Sequence, residues 1–106
     1  MRLFFVVIAI GSSSAWADVA KGEALYQANC AACHGATLDG NGPAGAALQP
    51  KPSNFKEPTF WADRDSSSVK AGIKNGKPGT AMMAFAHLPD SDVEAIVAYL
   101  IANKPQ

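Results

Sequence analysis

Cys30 and Cys33 are the only cysteines of the chain, and His34 directly follows the second one. Two thiols separated by two residues and followed by an imidazole form the attachment signature of a c-type haem. Each thiol can form a thioether with a haem vinyl group, and the histidine then lies beneath the iron as its proximal ligand. The spacer residues Ala31 and Ala32 are too small to crowd the porphyrin edge. This stretch therefore predicts one covalently held haem c.

Two other chemistries use a pair of cysteines at this spacing. A redox-active disulfide between Cys30 and Cys33 suits the spacing, but it leaves His34 without a role, and no strand–helix alternation surrounds the pair. A zinc site requires four ligands, and His87 is the one further soft donor in the sequence. Haem attachment explains the stretch better than either alternative.

A second stretch that could ligate iron is residues 76–88, where Met82 and Met83 follow a turn rich in glycine and proline. The haem of an electron carrier needs a second axial ligand, and a thioether is a neutral soft donor that favours ferrous iron. We therefore predict that one of these methionines is the distal iron ligand rather than a filler of the core. His87 could instead give a bis-histidine haem, although a solvated loop histidine is the simpler interpretation.

The elements that must position these side chains are helical. Residues 18–30 predict a first helix, capped by Asp18 and with Val19, Gly22 and Tyr26 on one face. A glycine on a buried helix face costs about 1 kcal/mol relative to alanine. We therefore expect another helix to cross close to Gly22; the alternative is that a glycine is simply tolerated near a helix end.

A last helix is predicted from Asp90 or Ser91, where Ser91 and Glu94 match a capping box. Tyr99 is expected on its flank. The buried face is indicated by apolar residues that recur every three or four positions: Val93, Ile96, Val97, Leu100 and Ile101. We expect this face to pack on the first helix.

Between the two helices, residues 35–52 predict a glycine- and proline-rich loop that passes on the His34 side. A metal-bound histidine usually donates its other ring N–H to a carbonyl. The Pro43 carbonyl is the candidate acceptor, and the alternative is that Pro43 only stiffens a turn. A short helix is predicted over residues 66–74, capped by one of its first serines. Three aromatic residues are expected to pack the haem and close the core, with a tryptophan N–H within reach of a propionate: Phe55, Phe60 and Trp61.

The composition describes one small globular domain. The chain has 106 residues, of which 48% are hydrophobic and 17% charged, and its 9 basic residues balance its 9 acidic ones. No basic patch dominates, so no nucleic-acid partner is indicated. Residues 51–77 nevertheless carry six basic against three acidic side chains, a net of +3. A docking patch for an acidic partner is one hypothesis for this excess, and an ordinary solvated surface is the other.

The N-terminus is typical of a secretory signal. Arg2 precedes an apolar run over residues 3–10 that is too short to span a bilayer. Serines and the small-x-small sequence Ala15-Trp16-Ala17 follow, so we expect cleavage after Ala17. The domain boundaries are then 1–17 for the signal peptide and 18–106 for the mature domain. An uncleaved membrane anchor is the alternative.

In this order, the motifs of the chain resemble a small class I c-type cytochrome of a bacterial periplasm. The resemblance covers nearly all of residues 18–106. It is carried by four motifs: Gly22-x-x-x-Tyr26, Cys30-Ala-Ala-Cys-His34-Gly35, Gly79-Thr80-Ala81-Met82 and the closing helix with Tyr99-Leu100. It implies an all-α cytochrome c fold, with N- and C-terminal helices crossing around one covalently bound haem. It also implies that Met82 is the distal ligand; Met83 occupies the position of a common family proline and remains the second choice.

The resemblance further implies a periplasmic single-electron carrier, not an enzyme, that shuttles electrons between a donor and an acceptor redox protein. Cys30 and Cys33 would hold the haem, and His34 and Met82 would hold the iron. We expect a monomer with no stable membrane insertion after signal cleavage. Two alternatives stay open: a haem enzyme or sensor with an exchangeable sixth ligand (peroxide or a small gas), and a dedicated electron-transfer subunit of one dehydrogenase or oxidase.

Overall fold

The computed structural model describes residues 3–4 and 14–106, and the regular structure of these residues is helical throughout. The elements are α1 (Ser14–Asn29), α2 (Ala31–His34), a 3₁₀ turn (Pro43–Gly45), α3 (Pro58–Trp61), α4 (Ser66–Asn75) and α5 (Asp90–Ala102). The predicted all-α fold class is confirmed. The short helix α3 was not predicted, because it is only about one helical turn long and has no periodicity to detect.

Helices α1 and α5 cross at Gly22, as the sequence predicts. A Cβ atom at this position would overlap the carbonyl oxygen of Ala95 and lie 2.9 Å from the Cβ of Tyr99. Glycine is therefore required for the close approach of the two backbones. The same approach covers Tyr99, which is buried rather than on the flank of α5 as predicted.

The core lies between α1, α4 and α5. Tyr26, Val93, Ile96 and Leu100 are its largest fully buried side chains, and Val69 and Ile73 of α4 join them. Burying one large apolar side chain of this kind contributes about 1.5–3 kcal/mol to folding. Ile101, predicted to share the buried face of α5, is only partly buried.

The helix starts differ from the predictions. Helix α1 begins at Ser14, so Asp18 lies inside the helix and does not cap it. The cap of α4 is Asp65, whose carboxylate accepts a hydrogen bond from the Ser68 backbone N–H at 3.0 Å, while the Ser68 hydroxyl oxygen accepts one from the Asp65 backbone N–H at 3.0 Å. The cap residue thus precedes the serines that the sequence suggested as caps, and Ser68 takes part as the third residue of the helix in a reciprocal box.

The capping box predicted for α5 is absent. Pro89 precedes the helix, and no side chain caps its first turn. The Glu94 carboxylate instead accepts a hydrogen bond from Lys70 of α4 at 2.8 Å. A contact between helices has therefore replaced the local contact that sequence spacing suggested.

The predicted signal segment, residues 1–17, falls largely outside the described residues. Within the described part, none of the helices has the length and apolarity needed to cross a bilayer. Residues 15–18 of α1 are exposed, and Trp16 is 79% exposed.

Candidate cofactor-binding site

A cavity of about 290 Å³ lies between the Cys-x-x-Cys-His segment and the loop that follows α4. The side chains singled out from the sequence, Cys30, Cys33, His34 and Met82, all line this cavity. Most of the remaining wall is apolar and comes from α4, α5 and residues 48–60. His87 is exposed, is not part of the cavity wall, and packs against Phe85 with a ring-centroid distance of 5.8 Å.

The attachment segment is shaped by backbone hydrogen bonds. The Cys30 N–H donates to the Tyr26 carbonyl at 2.7 Å, and the Cys30 carbonyl accepts from the N–H groups of Cys33 and His34 at 3.2 and 2.9 Å. Residues three and four apart on a helical turn share one side. This turn therefore presents both thiols and the imidazole to the same cavity.

The two thiols are free rather than paired in a disulfide. Burial raises the pKa of the Cys30 thiol to about 11, and repulsion from Cys33 adds to the rise. Redox-active cysteines of the Cys-x-x-Cys type have lowered thiol pKa values. The environment of Cys30 has the opposite effect, which argues against the disulfide alternative.

The His34 ring forms a hydrogen bond between its Nδ1 atom and the Ser53 carbonyl at 3.1 Å. A carbonyl only accepts, so Nδ1 carries the proton and Nε2 keeps a free lone pair for a metal. Burial lowers the pKa of His34, and the bond to Ser53 opposes this effect. The ring is therefore held neutral, as an iron ligand must be.

The prediction that the Pro43 carbonyl is the hydrogen-bond partner of His34 is wrong, because the Ser53 carbonyl takes that position. The loop around Pro43 packs against the backbone of the attachment segment, where the Gly42 N–H donates to the Cys33 carbonyl at 3.1 Å. The segment of residues 52–55 lies beside the His34 imidazole instead. Sequence spacing indicated a carbonyl partner but could not show which of two loop segments would supply it.

Aromatic residues form the wall behind the histidine. The Phe55 ring stacks on the His34 ring with centroids 4.8 Å apart and planes 25° apart, and Phe60 packs edge-on to Phe55 at 5.0 Å. Phe55 and Phe60 line the cavity, whereas Trp61 packs behind Phe60. The Trp61 N–H, considered for a propionate, donates to the Phe55 carbonyl at 2.9 Å.

The distal side of the cavity is a loop. Its Met82 N–H donates to the Thr80 hydroxyl oxygen at 3.1 Å, and its Met82 carbonyl accepts from the Lys77 N–H at 3.1 Å. Met82 is partly buried, whereas Met83 is 63% exposed, although both contribute to the cavity wall. The geometry thus places Met82 deeper than Met83.

The basic residues of the 51–77 segment do not form one patch. Lys70 and Lys74 of α4 pair with Asp90 and Glu94 of α5, and the Lys74 ammonium lowers the pKa of the Asp90 carboxyl. The cavity wall receives the cations Lys51, Arg64 and Lys77. A count of charged residues in the sequence could not predict this separation into two groups, because it does not show which lysines pair with carboxylates of a neighbouring helix.

The cavity fits a haem in its donor chemistry, and its wall leaves room at one glycine. Two thiols, a neutral imidazole and a thioether meet in an apolar wall. Gly72 lies within α4, where glycine costs about 1 kcal/mol relative to alanine, and no neighbouring atom lies within 4 Å of the position that its Cβ would take. Gly72 also lines the cavity, so its missing side chain leaves room for a group held there. Among the described residues, no cluster of three His, Cys, Asp or Glu side chains could bind a metal ion without such a group.

Comparisons with known proteins agree with this chemistry. Residues 17–100 match the family described as cytochrome c oxidase, cbb3-type, subunit III. A cytochrome c6 of Cyanidioschyzon merolae is 35% identical over 89 residues, which cover 82% of this chain and 76% of that protein. A dihydro-heme d1 dehydrogenase of Pseudomonas aeruginosa is 38% identical over 94 residues, or 87% of this chain and 17% of the relative.

A solved structure also resembles the chain. A chain of the Kuenenia stuttgartiensis reducing HAO-like protein complex superposes with a TM-score of 0.70 at 25% identity, covering 79% of this chain and 41% of that one. The chain thus spans only a minor part of the length of the dehydrogenase and of this neighbour.

Proposed function

Because the chain belongs to the c-type cytochromes, within the family of the cbb3-type oxidase subunit III, we propose that it is a periplasmic single-electron carrier. As a member of this family it binds haem c covalently and transfers electrons. The observation that supports the carrier proposal is that one cavity is lined by a neutral imidazole and a thioether from different segments, His34 and Met82. Two such ligands would occupy both axial positions of an iron.

Each side chain has one role in this proposal. Cys30 and Cys33 form the two thioethers, His34 is the proximal ligand, and Met82 is the distal ligand, with Met83 as the second choice. The haem supplies one-electron chemistry at its iron. His34 offers Nε2 because Ser53 holds the proton at Nδ1, and Met82 offers a neutral sulfur that favours the reduced state.

The apolar part of the remaining wall would keep water from the iron. Val69, Ile73, Ile96 and Leu100 are buried and line the cavity. A hydrophobic shell lowers the local dielectric and disfavours the more highly charged oxidised state, so it raises the reduction potential. With both axial positions filled and water excluded, the chain would pass electrons without binding a substrate at the iron.

The proposed location is the periplasm, after removal of residues 1–17. Haem is attached to cysteines outside the cytoplasm in bacteria, which agrees with an exported chain. The exposure of residues 15–18 also agrees, because cleavage after Ala17 would remove no core contact of those residues. The partners would be a donor and an acceptor redox protein, and each complex would be brief with a small interface.

The first test is the visible absorption spectrum of the reduced holoprotein, recorded with and without carbon monoxide. We expect a low-spin c-type spectrum that carbon monoxide leaves unchanged, because Met82 closes the sixth position. A spectrum that shifts at modest carbon monoxide would instead favour an enzyme or sensor with an exchangeable ligand. The absence of any haem spectrum after expression with the attachment machinery would overturn the proposal from Cys30 onward.

A second candidate is an electron-transfer part of one larger redox assembly. The match to a small portion of a dihydro-heme d1 dehydrogenase, and the family description as an oxidase subunit, are the observations that favour it. The haem chemistry would be identical in the two cases. Stoichiometric co-purification with a single dehydrogenase or oxidase would favour this candidate, whereas exchange of electrons with several partners at comparable rates would favour the free carrier.

A further inference from the structure

We propose that Phe55, together with the Ser53 carbonyl, fixes the plane of the His34 ring and thereby sets the orientation of the proximal iron ligand. Phe55 is then a positioning residue that lies 21 positions after the ligand in the chain. This inference rests on the proposed function, since it assumes that His34 is the proximal ligand. It goes beyond that function by assigning the ligand's orientation to a segment outside the attachment motif.

Two different constraints act on the imidazole. The hydrogen bond from Nδ1 to the Ser53 carbonyl, at 3.1 Å, defines the direction of one ring atom but leaves the ring free to tilt about that direction. The stacked Phe55 ring, 4.8 Å away and inclined by 25°, restricts this tilt. A hydrogen bond and a face contact together determine the plane, whereas either alone does not.

Phe55 can exert this constraint because it is itself held firmly. Its N–H donates to the Leu38 carbonyl at 2.9 Å, and its carbonyl accepts from the Trp61 indole N–H at 2.9 Å. Phe60 packs on its edge, and the side chain is 7% exposed. Both backbone polar groups and the ring of Phe55 are thus engaged, so the ring cannot move without breaking other contacts.

The test compares Phe55→Leu with Phe60→Leu in the oxidised holoprotein. Phe60 is the matched control, because it lines the same cavity and contacts Phe55 but makes no stacking contact with His34. The readout is the set of hyperfine-shifted haem methyl resonances, which depends on the planes of the axial ligands. We expect Phe55→Leu to change the order or spread of these resonances strongly, and Phe60→Leu, which loses only the edge contact with Phe55, to change them much less.

A second readout follows the hydrogen bond itself. In the Phe55→Leu protein the His34 Nδ1 proton should exchange with solvent about tenfold faster, as expected when one hydrogen bond is weakened. Trp61→Phe gives a milder variant, because it keeps an aromatic ring but removes the bond to the Phe55 carbonyl. It should move the methyl resonances in the same direction by a smaller amount.

The outcomes separate this inference from the proposed function. If the wild-type spectrum shows no histidine–methionine haem, the proposed function fails first. If that spectrum is present but Phe55→Leu and Phe60→Leu give the same resonance pattern, only the positioning role is overturned. Should Phe55→Leu fail to fold, two other measurements decide. They are the resonance shifts of Trp61→Phe and the nuclear Overhauser effects between the Phe55 and His34 rings of the wild-type protein. If neither is observed, the inference is overturned.

Discussion

The two sides of the cavity are built differently. On the proximal side, the attachment segment is fixed by helical backbone bonds, and His34 is held by a carbonyl and a stacked ring. On the distal side, Met82 lies in an irregular loop tied by its own N–H and carbonyl to Thr80 and Lys77. The proximal ligand is therefore held by a ring that belongs to the core, whereas the distal ligand depends on hydrogen bonds within its own loop.

This difference indicates where the site should open. Segments with few buried contacts and exposed backbone open at lower free energy than the packed core does. Loss of the proximal side should thus prevent assembly of the holoprotein, whereas loss of the distal side should leave it folded with an open iron. The predictions below test this asymmetry.

The largest effect is expected for His34→Ala. The substitution removes the proximal ligand and also the ring that packs against Phe55, so we expect no stable holoprotein. The measurement is the yield of covalently attached haem per folded chain after expression with the attachment machinery. A normally folded, haem-loaded His34→Ala protein with an unchanged spectrum would contradict the proximal assignment.

Met82→Ala should have the next largest effect. We expect a folded holoprotein whose reduced form binds carbon monoxide and whose reduction potential falls, because the thioether that favours ferrous iron is gone. Met83→Ala is the control, since Met83 is 63% exposed and should change neither property. The reverse pattern would assign the ligand to Met83.

Two glycines of the distal loop offer a smaller and sharper test. Gly76 and Gly79 have φ angles of +71° and +81°, so alanine at either position is strained by about 1–2 kcal/mol. At Gly76 the new Cβ would also lie 2.8 Å from the Met82 carbonyl oxygen and from the Ala84 nitrogen, whereas at Gly79 it would meet no atom within 4 Å. We expect both variants to lose stability in denaturant titrations but only Gly76→Ala to bind carbon monoxide. Equal carbon monoxide binding by the two would show that Met82 does not depend on this contact.

The helices also differ in how much of their arrangement could be predicted from the sequence. The crossing of α1 and α5 was predictable, because a glycine on an apolar helix face is favoured where another helix packs closely. The helix caps of α4 and α5 were not predictable. Several polar residues lie near each helix start, and sequence does not show that Asp65 bonds to Ser68 or that Glu94 bonds to Lys70. Local sequence patterns therefore predict the positions of helices better than they predict which polar groups form hydrogen bonds with each other.

The site shows the same limit. Four donor side chains of the cavity wall were predictable: Cys30, Cys33 and His34 from a specific motif, and Met82 from its place after Gly79-Thr80. The contact from Ser53 to His34 was not, because it joins residues 19 positions apart through a loop without periodicity. Phe55 was expected near the haem, but its stacking on the ligand depends on how Trp61 and Leu38 hold its backbone.

The smallest effect, and one confined to the proximal side, is expected for Tyr26→Phe. The buried Tyr26 hydroxyl donates to the Gly35 carbonyl at 2.6 Å, and losing this bond should cost about 1 kcal/mol in urea unfolding without altering the haem spectrum. Burial raises the pKa of Tyr26 well above its usual value of about 10. Above that pH the unfolded chain releases a proton that the folded chain retains, so stability falls as pH rises. Tyr26→Phe should reduce this alkaline slope more than Tyr99→Phe does, and equal slopes would contradict the prediction.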